Sequence, residues 1–382
     1  MASDDVFLWA DTERSAAMRH EIPISVGDPF GYAEVGGRAI VLASSLDMDR
    51  ISAARPDAEI FEWADVGFYE LLESGMNREQ LILEIISRGV AKMGLKDVRV
   101  DPDFPLAVAD RLRADGVTLT PDHDAFAARR RAKSRAELAG IRRAQRAADA
   151  GMGAAAALLR RASVDAEGQL IVDGDVLTAD DVRGVLREAC AAAGAPAPGD
   201  VIVASVWQGF GHEPGSGPLP AGLPIQIDLW PRDEESGCWA DMTRTFVVGE
   251  VNEATRAQEQ LVRDAFFRVR DAVRPGVTGR ELHAMTCEVF EAAGHKTQRT
   301  GPDPERPNDG FQFSLGHGVG LEVHEDPSLG QSGRAPLVAG DVIAIEPGLW
   351  ETGLGGVRFE DLLLVTEAGS ETLTDYPYDL TP

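Results

Sequence analysis

The chain has 382 residues, 44% hydrophobic and 26% charged, which is room for two or three domains with ordinary soluble cores. Its formal net charge of −26 opposes nucleic acid and anionic membranes as partners, and no apolar run approaches the ~18 residues of a membrane span. The three cysteines, Cys190, Cys238 and Cys287, are scattered and odd in number; with no secretory signal visible behind Asp4 and Asp5, the expectation is a reducing cytoplasm without a disulfide framework.

Taken in order, residues up to about 125 read as a small α/β unit. Strands are expected at 38–45, 59–63, 98–101 and 117–121, and helices at 47–54, 78–93 and 105–115. This region holds no catalytic cluster; His20 and His123 are isolated histidines read as structural or surface groups. The basic run 129–135 reads as a linker rather than a nucleic-acid patch. Ser134 with Glu137 forms a capping box and should start a helix running towards Ala162. Thr178 with Asp181 opens a second helix, whose apolar face includes Cys190, so that thiol is expected in the core. A third helix is expected over 258–273, stopped by Pro275-Gly276, and a fourth from the Thr278/Glu281 capping box to Gly294. His283 and His295 lie on or beside it and read as structural. Strands alternate with these helices, so one larger domain is expected from the linker to the end.

Chemistry concentrates in that second half. In Ile225-Gln226-Ile227-Asp228-Leu229, alternation sets Asp228 on the face opposite the three aliphatic residues. Asp241, Thr243 and Thr245 share one face of the next strand. A third apolar strand ends on Glu346, and a fourth carries Arg358 and Glu360 on one face. Aspartate is disfavoured inside strands, and a buried carboxylate must be paired or metal-bound. The stretch 316–327 adds His317 and His324, seven residues apart, with Gly316 and Gly318 on either side of the first. Four carboxylates balance two divalent cations with His317 neutral, and oxygen donors with one imidazole suit Mn²⁺, Co²⁺ or Zn²⁺.

These motifs resemble the creatinase/aminopeptidase ("pita-bread") metallopeptidase family, and within it the Xaa-Pro peptidases. The resemblance is carried by Asp228, by Ala240-Asp241-Met242-Thr243-Arg244-Thr245, by Gly316-His317-Gly318-Val319-Gly320-Leu321-Glu322-Val323-His324-Glu325-Asp326-Pro327, by Glu346-Pro347-Gly348 and by Val357-Arg358-Phe359-Glu360-Asp361, in order along residues 200–365. It implies a small N-terminal α/β domain (1–128), a linker (129–135) and a larger C-terminal pita-bread α+β catalytic domain (136–382). It implies two divalent metal ions per subunit, held by Asp228, Asp241, His317, Glu346 and Glu360, and a homodimer. The reaction it implies is hydrolysis of Xaa-Pro bonds, in dipeptides or at the N-terminus of short peptides, by a hydroxide bridging the two ions. By the same resemblance His324 donates to the oxyanion or moves a proton. Glu346 shuttles a proton to the leaving nitrogen, His212 faces the substrate and Arg358 orients the site.

Three departures stand out from the family pattern. Twelve residues separate Asp228 from Asp241, Cys238 stands where a tyrosine is common, and Phe313 replaces a further substrate-binding histidine four residues before His317. They leave two other readings in play: a hydrolase or lyase of the same fold acting on a non-proline small substrate, such as a creatinase-like amidinohydrolase, or a non-catalytic binding module. All five metal ligands of the family are present, which opposes the creatinase-like version and, with His324, the binding module, while Phe313 and the longer hairpin keep other chemistries on the same fold open.

Overall fold

The computed structural model of the chain describes residues 4–205, 208 and 211–382. It divides into two compact units, Met1–Arg130 and Arg131–Pro382.

The first unit is built on β1 (Val6–Ala10), α1 (Ala16–Glu21), β2 (Phe30–Val35), β3 (Arg38–Ala43), α2 (Met48–Ala54), β4 (Glu59–Glu62), α3 (Phe68–Glu73), α4 (Arg78–Met93), β5 (Asp97–Val100), α5 (Leu106–Ala114), β6 (Thr118–Pro121) and α6 (His123–Arg131). Its sheet has the order β4-β3-β2-β1-β5-β6. The β1, β2 and β3 pairings are antiparallel, and the outer ones are parallel. Side chains alternate between two cores: Phe7, Trp9, Ile40 and Leu42 face one, Val6, Leu8, Ala39 and Val41 the other. Burial on both faces makes Val6–Ala10 an unbroken apolar run. That is why the sequence reading places no strand there, although β1 is central to the sheet.

The second unit begins with α7 (Arg135–Arg160), then β7 (Ser163–Val164), β8 (Leu170–Val172), β9 (Asp175–Val176), α8 (Ala179–Ala192), β10 (Ile202–Ser205), β11 (Ile225–Leu229) and β12 (Met242–Phe246). There follow α9 (Glu253–Arg270), α10 (Gly279–Ala292), β13 (Gly316–Gly318), β14 (Val342–Ile345), β15 (Gly348–Glu351), β16 (Gly355–Arg358), β17 (Asp361–Val365) and β18 (Ser370–Thr372). Within the run 129–135, α6 ends at Arg131 and α7 begins at Arg135, so Ala132, Lys133 and Ser134 lie between two helices. The caps at Ser134/Glu137, Thr178/Asp181 and Thr278/Glu281 all form reciprocally, each satisfying orphan N–H groups of a first turn. Helix α9 starts earlier than its apolar pattern suggests, because Asn252 caps a polar first turn.

Helices α7 and α8 pack closely. A Cβ at Gly151 would lie 2.5 Å from Cys190 Sγ, so only glycine allows this approach. Cys190 is fully buried, as expected, with its thiol directed at the Ala147 carbonyl oxygen. A second core joins α9 and α10 to the strands β14 to β17, through Phe266, Phe290, Phe311, Ile345 and Phe359.

The strands position the chemistry. The antiparallel set β10-β11-β12 places Asp228 opposite Thr243. The set β13-β14-β17-β18 places His317 opposite Ala344, and the β15-β16 hairpin places Gly348 opposite Arg358.

Candidate metal centre

Asp228 lies near the end of β11, Asp241 at the entry to β12, and His317 in the middle of β13. Glu346 follows β14, and Glu360 lies in the step from β16 to β17. Three overlapping groups, each with ligand atoms within 4.8 Å of one another, join them: Asp228, Asp241 and Glu360; His317, Glu346 and Glu360; Asp241, His317 and His324. Gly316 and Gly318 make this possible, since a Cβ on the first would strike the Ala344 carbonyl and on the second the Asp326 carbonyl.

The hydrogen bonds around His317 settle its tautomer. Its Nδ1 lies 3.1 Å from the Gly318 carbonyl oxygen, which can only accept, so Nδ1 carries the hydrogen. Nε2 is then a bare lone pair, 3.6 Å from Asp241 Oδ2 and 3.8 Å from Glu346 Oε1. Burial, with the neighbouring His324, holds the His317 pKa down at about 3. A lone pair facing two buried carboxyl groups is an arrangement a cation resolves.

The acids carry the complementary signature. Burial raises Asp228 and Glu346 to about 7 and Glu360 to about 8. Asp241 is pushed well above the usual range by burial and by Glu360 and its other acidic neighbours. Arg358 is the cation beside them. It contacts Asp228 through Nη2, Glu346 through Nη1 at 3.2 Å and Thr243 Oγ1 through Nε at 3.2 Å. One guanidinium against four buried carboxylates leaves negative charge uncompensated, and Asp228 Oδ1 has no hydrogen-bond partner among the described residues. The donor set therefore fits divalent cations.

A cavity of about 810 Å³ opens on this cluster. All nine residues singled out from the sequence line it: the four acids and one imidazole of the cluster, with His212, Phe313, His324 and Arg358. The His324 ring stands perpendicular to that of His317, with centroids 4.2 Å apart. Burial lowers the pKa of both His212 and His324. Phe313 packs edge-on against Phe311 and Trp350. His283 is buried with its Nε2 3.2 Å from the Phe313 carbonyl oxygen, which fits its structural reading.

Sequence reasoning assigned no role to several groups that build the site. Thr243 donates to Glu360 Oε2 at 2.6 Å. Arg244, fully buried, donates to the carbonyls of Thr243, Glu360, Tyr376 and Pro377 and to Asp361. Lys133 and Glu325 form an ion pair with both side chains almost wholly buried. Asp200, Trp230 and Ser328 also line the cavity. Thr243-Arg244-Thr245, three polar residues in a row inside a fully buried strand, is the signal that could have found Thr243 and Arg244.

The model of metallopeptidase family M24 matches residues 139–367, more than half of the chain. The chain belongs to metallopeptidase family M24. Among relatives of this M24 chain, an Xaa-Pro dipeptidase of Pyrococcus furiosus is 42% identical over 135 residues, which is 35% of this chain and 35% of that protein. The match thus spans about a third of that relative's length. Two solved structures share the fold. The prolidase from Pyrococcus horikoshii OT3 superposes with a TM-score of 0.74 at 24% identity, over 99% of this chain and 95% of that one. An Xaa-Pro dipeptidase from Bacillus anthracis gives 0.77 at 22% identity, over 99% and 94%. The fold class expected from the sequence, a small α/β domain before a larger pita-bread α+β domain, is borne out.

Proposed function

We propose that this M24 chain is a dinuclear metal-dependent peptidase that hydrolyses Xaa-Pro bonds in short peptides. The single observation that supports it best is the bare Nε2 of His317 directed at Asp241 and Glu346, within a cluster of buried acids that lacks enough positive charge. In this reading Asp228, Asp241, His317, Glu346 and Glu360 hold two divalent cations, Mn²⁺, Co²⁺ or Zn²⁺. Bound there, the cations supply a water of lowered pKa and a Lewis acid for the scissile carbonyl.

The chain's own groups do the rest. His324, beside His317, donates to the oxygen that gains charge at the scissile carbon. Glu346 accepts a proton and passes it to the leaving nitrogen. Arg358 holds Asp228 and Glu346 in place, and His212 binds substrate from the cavity wall. Proline matters because an Xaa-Pro bond has no N–H on its scissile nitrogen and a fixed φ; a peptidase that grips that N–H cannot process it. The Xaa-Pro dipeptidase name of the Pyrococcus furiosus relative supports the same substrate class. A homodimer working in the cytoplasm completes the reading. No helix among the described residues is long and apolar enough to cross a membrane.

The test is hydrolysis of Ala-Pro-Ala and Ala-Ala-Ala by the full chain with added Mn²⁺. Preferential cleavage of the proline peptide is expected. Cleavage of Ala-Ala-Ala alone would overturn the proline assignment and favour a non-proline substrate on the same fold.

A further inference from the structure

The cavity's charge pattern narrows the substrate further. Among its described lining residues only Arg358 carries a permanent positive charge, and that guanidinium is already engaged by Asp228, Glu346 and Thr243. Beyond the metal cluster the described wall is apolar, formed by Ile202, Trp230, Phe313 and Val323, and the one further charged side chain among the described lining residues is Asp200, which is exposed and acidic. The remaining polar lining is neutral hydroxyl, from Ser314 and Ser328, and imidazole.

In a dipeptide the free carboxylate lies one residue from the scissile bond. It stays within a few ångströms (about one residue's reach) of the cluster while the bond is held there. Here it would meet an apolar wall and the like charge of Asp200, with no cationic side chain among the described lining residues left unengaged to receive it. An internal peptide group or a C-terminal amide at the same place presents only a neutral N–H and C=O, which serine hydroxyls and imidazoles satisfy. About 810 Å³ stands towards the upper end of small-molecule sites, with room for a chain that continues beyond the second residue.

We propose that the chain acts on peptides longer than two residues, or on C-terminally blocked ones, and rejects free dipeptides, so that it works as an aminopeptidase rather than a dipeptidase. This rests on the peptidase reading above.

The experiment compares Ala-Pro, Ala-Pro amide and Ala-Pro-Ala at pH 7, using the full chain loaded with Mn²⁺. The amide and the tripeptide are expected to show kcat/KM at least about tenfold above Ala-Pro, the scale of an unpaired charged group. Asp200→Lys, on an exposed side chain, should raise kcat/KM for Ala-Pro and narrow that gap; an unchanged gap would remove Asp200 from the explanation. Equal or faster cleavage of Ala-Pro by the native chain would overturn this inference while leaving the peptidase reading standing. Failure to cleave any of the three would overturn that reading, and this inference with it.

Discussion

Arg244→Lys tests how the centre is braced. Arg244 is fully buried and makes five hydrogen bonds from three nitrogens, to the carbonyls of Thr243, Glu360, Tyr376 and Pro377 and to Asp361 Oδ1. Lysine keeps the charge but concentrates three donors on one nitrogen. At least two of the five bonds must be lost, each leaving a buried carbonyl unpaired at about 1–3 kcal/mol. The expected destabilisation is therefore about 2–6 kcal/mol. The Asp361 carboxylate retains the Tyr378 hydroxyl at 2.5 Å, so the charge pair should survive in part. Urea unfolding followed by circular dichroism should show a lower midpoint at an unchanged slope. Because Arg244 ties β12 to the segment carrying Glu360, divalent-cation affinity should fall in the same variant. A stability loss below about 1 kcal/mol, or an unaltered cation affinity, would refute the bracing role.

His324→Ala should lower kcat by about 10²-fold on Ala-Pro-Ala if the imidazole is an oxyanion donor; an unchanged kcat, measured at saturating peptide, removes that role. Asp241→Asn should abolish cation binding and activity while the metal-free protein melts no lower than the native one, since burial and acidic neighbours already favour a protonated carboxyl there. Retained activity in that variant would contradict the two-metal reading. The pH dependence has a definite sign. Asp228 and Glu346 titrate near 7 and Glu360 near 8 in the folded chain, against about 4 for unperturbed carboxyls. The folded metal-free chain thus holds protons that the unfolded chain has released. Their stabilising contribution is complete below about pH 4 and is lost as pH rises towards 8. Thermal scans of metal-free protein should show Tm falling from about pH 5 to 8, while added Mn²⁺ raises Tm more at the higher pH, because its ligands must be unprotonated. A Tm that rises over this window in chelator-treated protein would contradict the burial of these acids.

Much of this was legible in the sequence, and what escaped has physical reasons. Capping boxes are local and so readable: Ser134, Thr178 and Thr278 each begin their helices as expected. Strand β1 was not, because both its faces are buried and no alternation remains to see. The acids of the cluster announced themselves as charges in apolar strands. Which group would partner which acid was not legible. Thr243 reaches Glu360 and Arg358 reaches Asp228 across more than a hundred residues of chain, and only the fold brings them together. Phe313 could be read as a departure from the family pattern, but not as part of an aromatic stack with Phe311 and Trp350. Asp200, at a position with no motif around it, gave no signal before the cavity was formed.

The most direct measurement is metal stoichiometry. Protein stripped with chelator, titrated with Mn²⁺ and analysed by elemental mass spectrometry should hold two ions per chain, and His317→Ala should hold fewer. Native protein that binds none after this treatment, yet still hydrolyses Ala-Pro-Ala, would contradict the account.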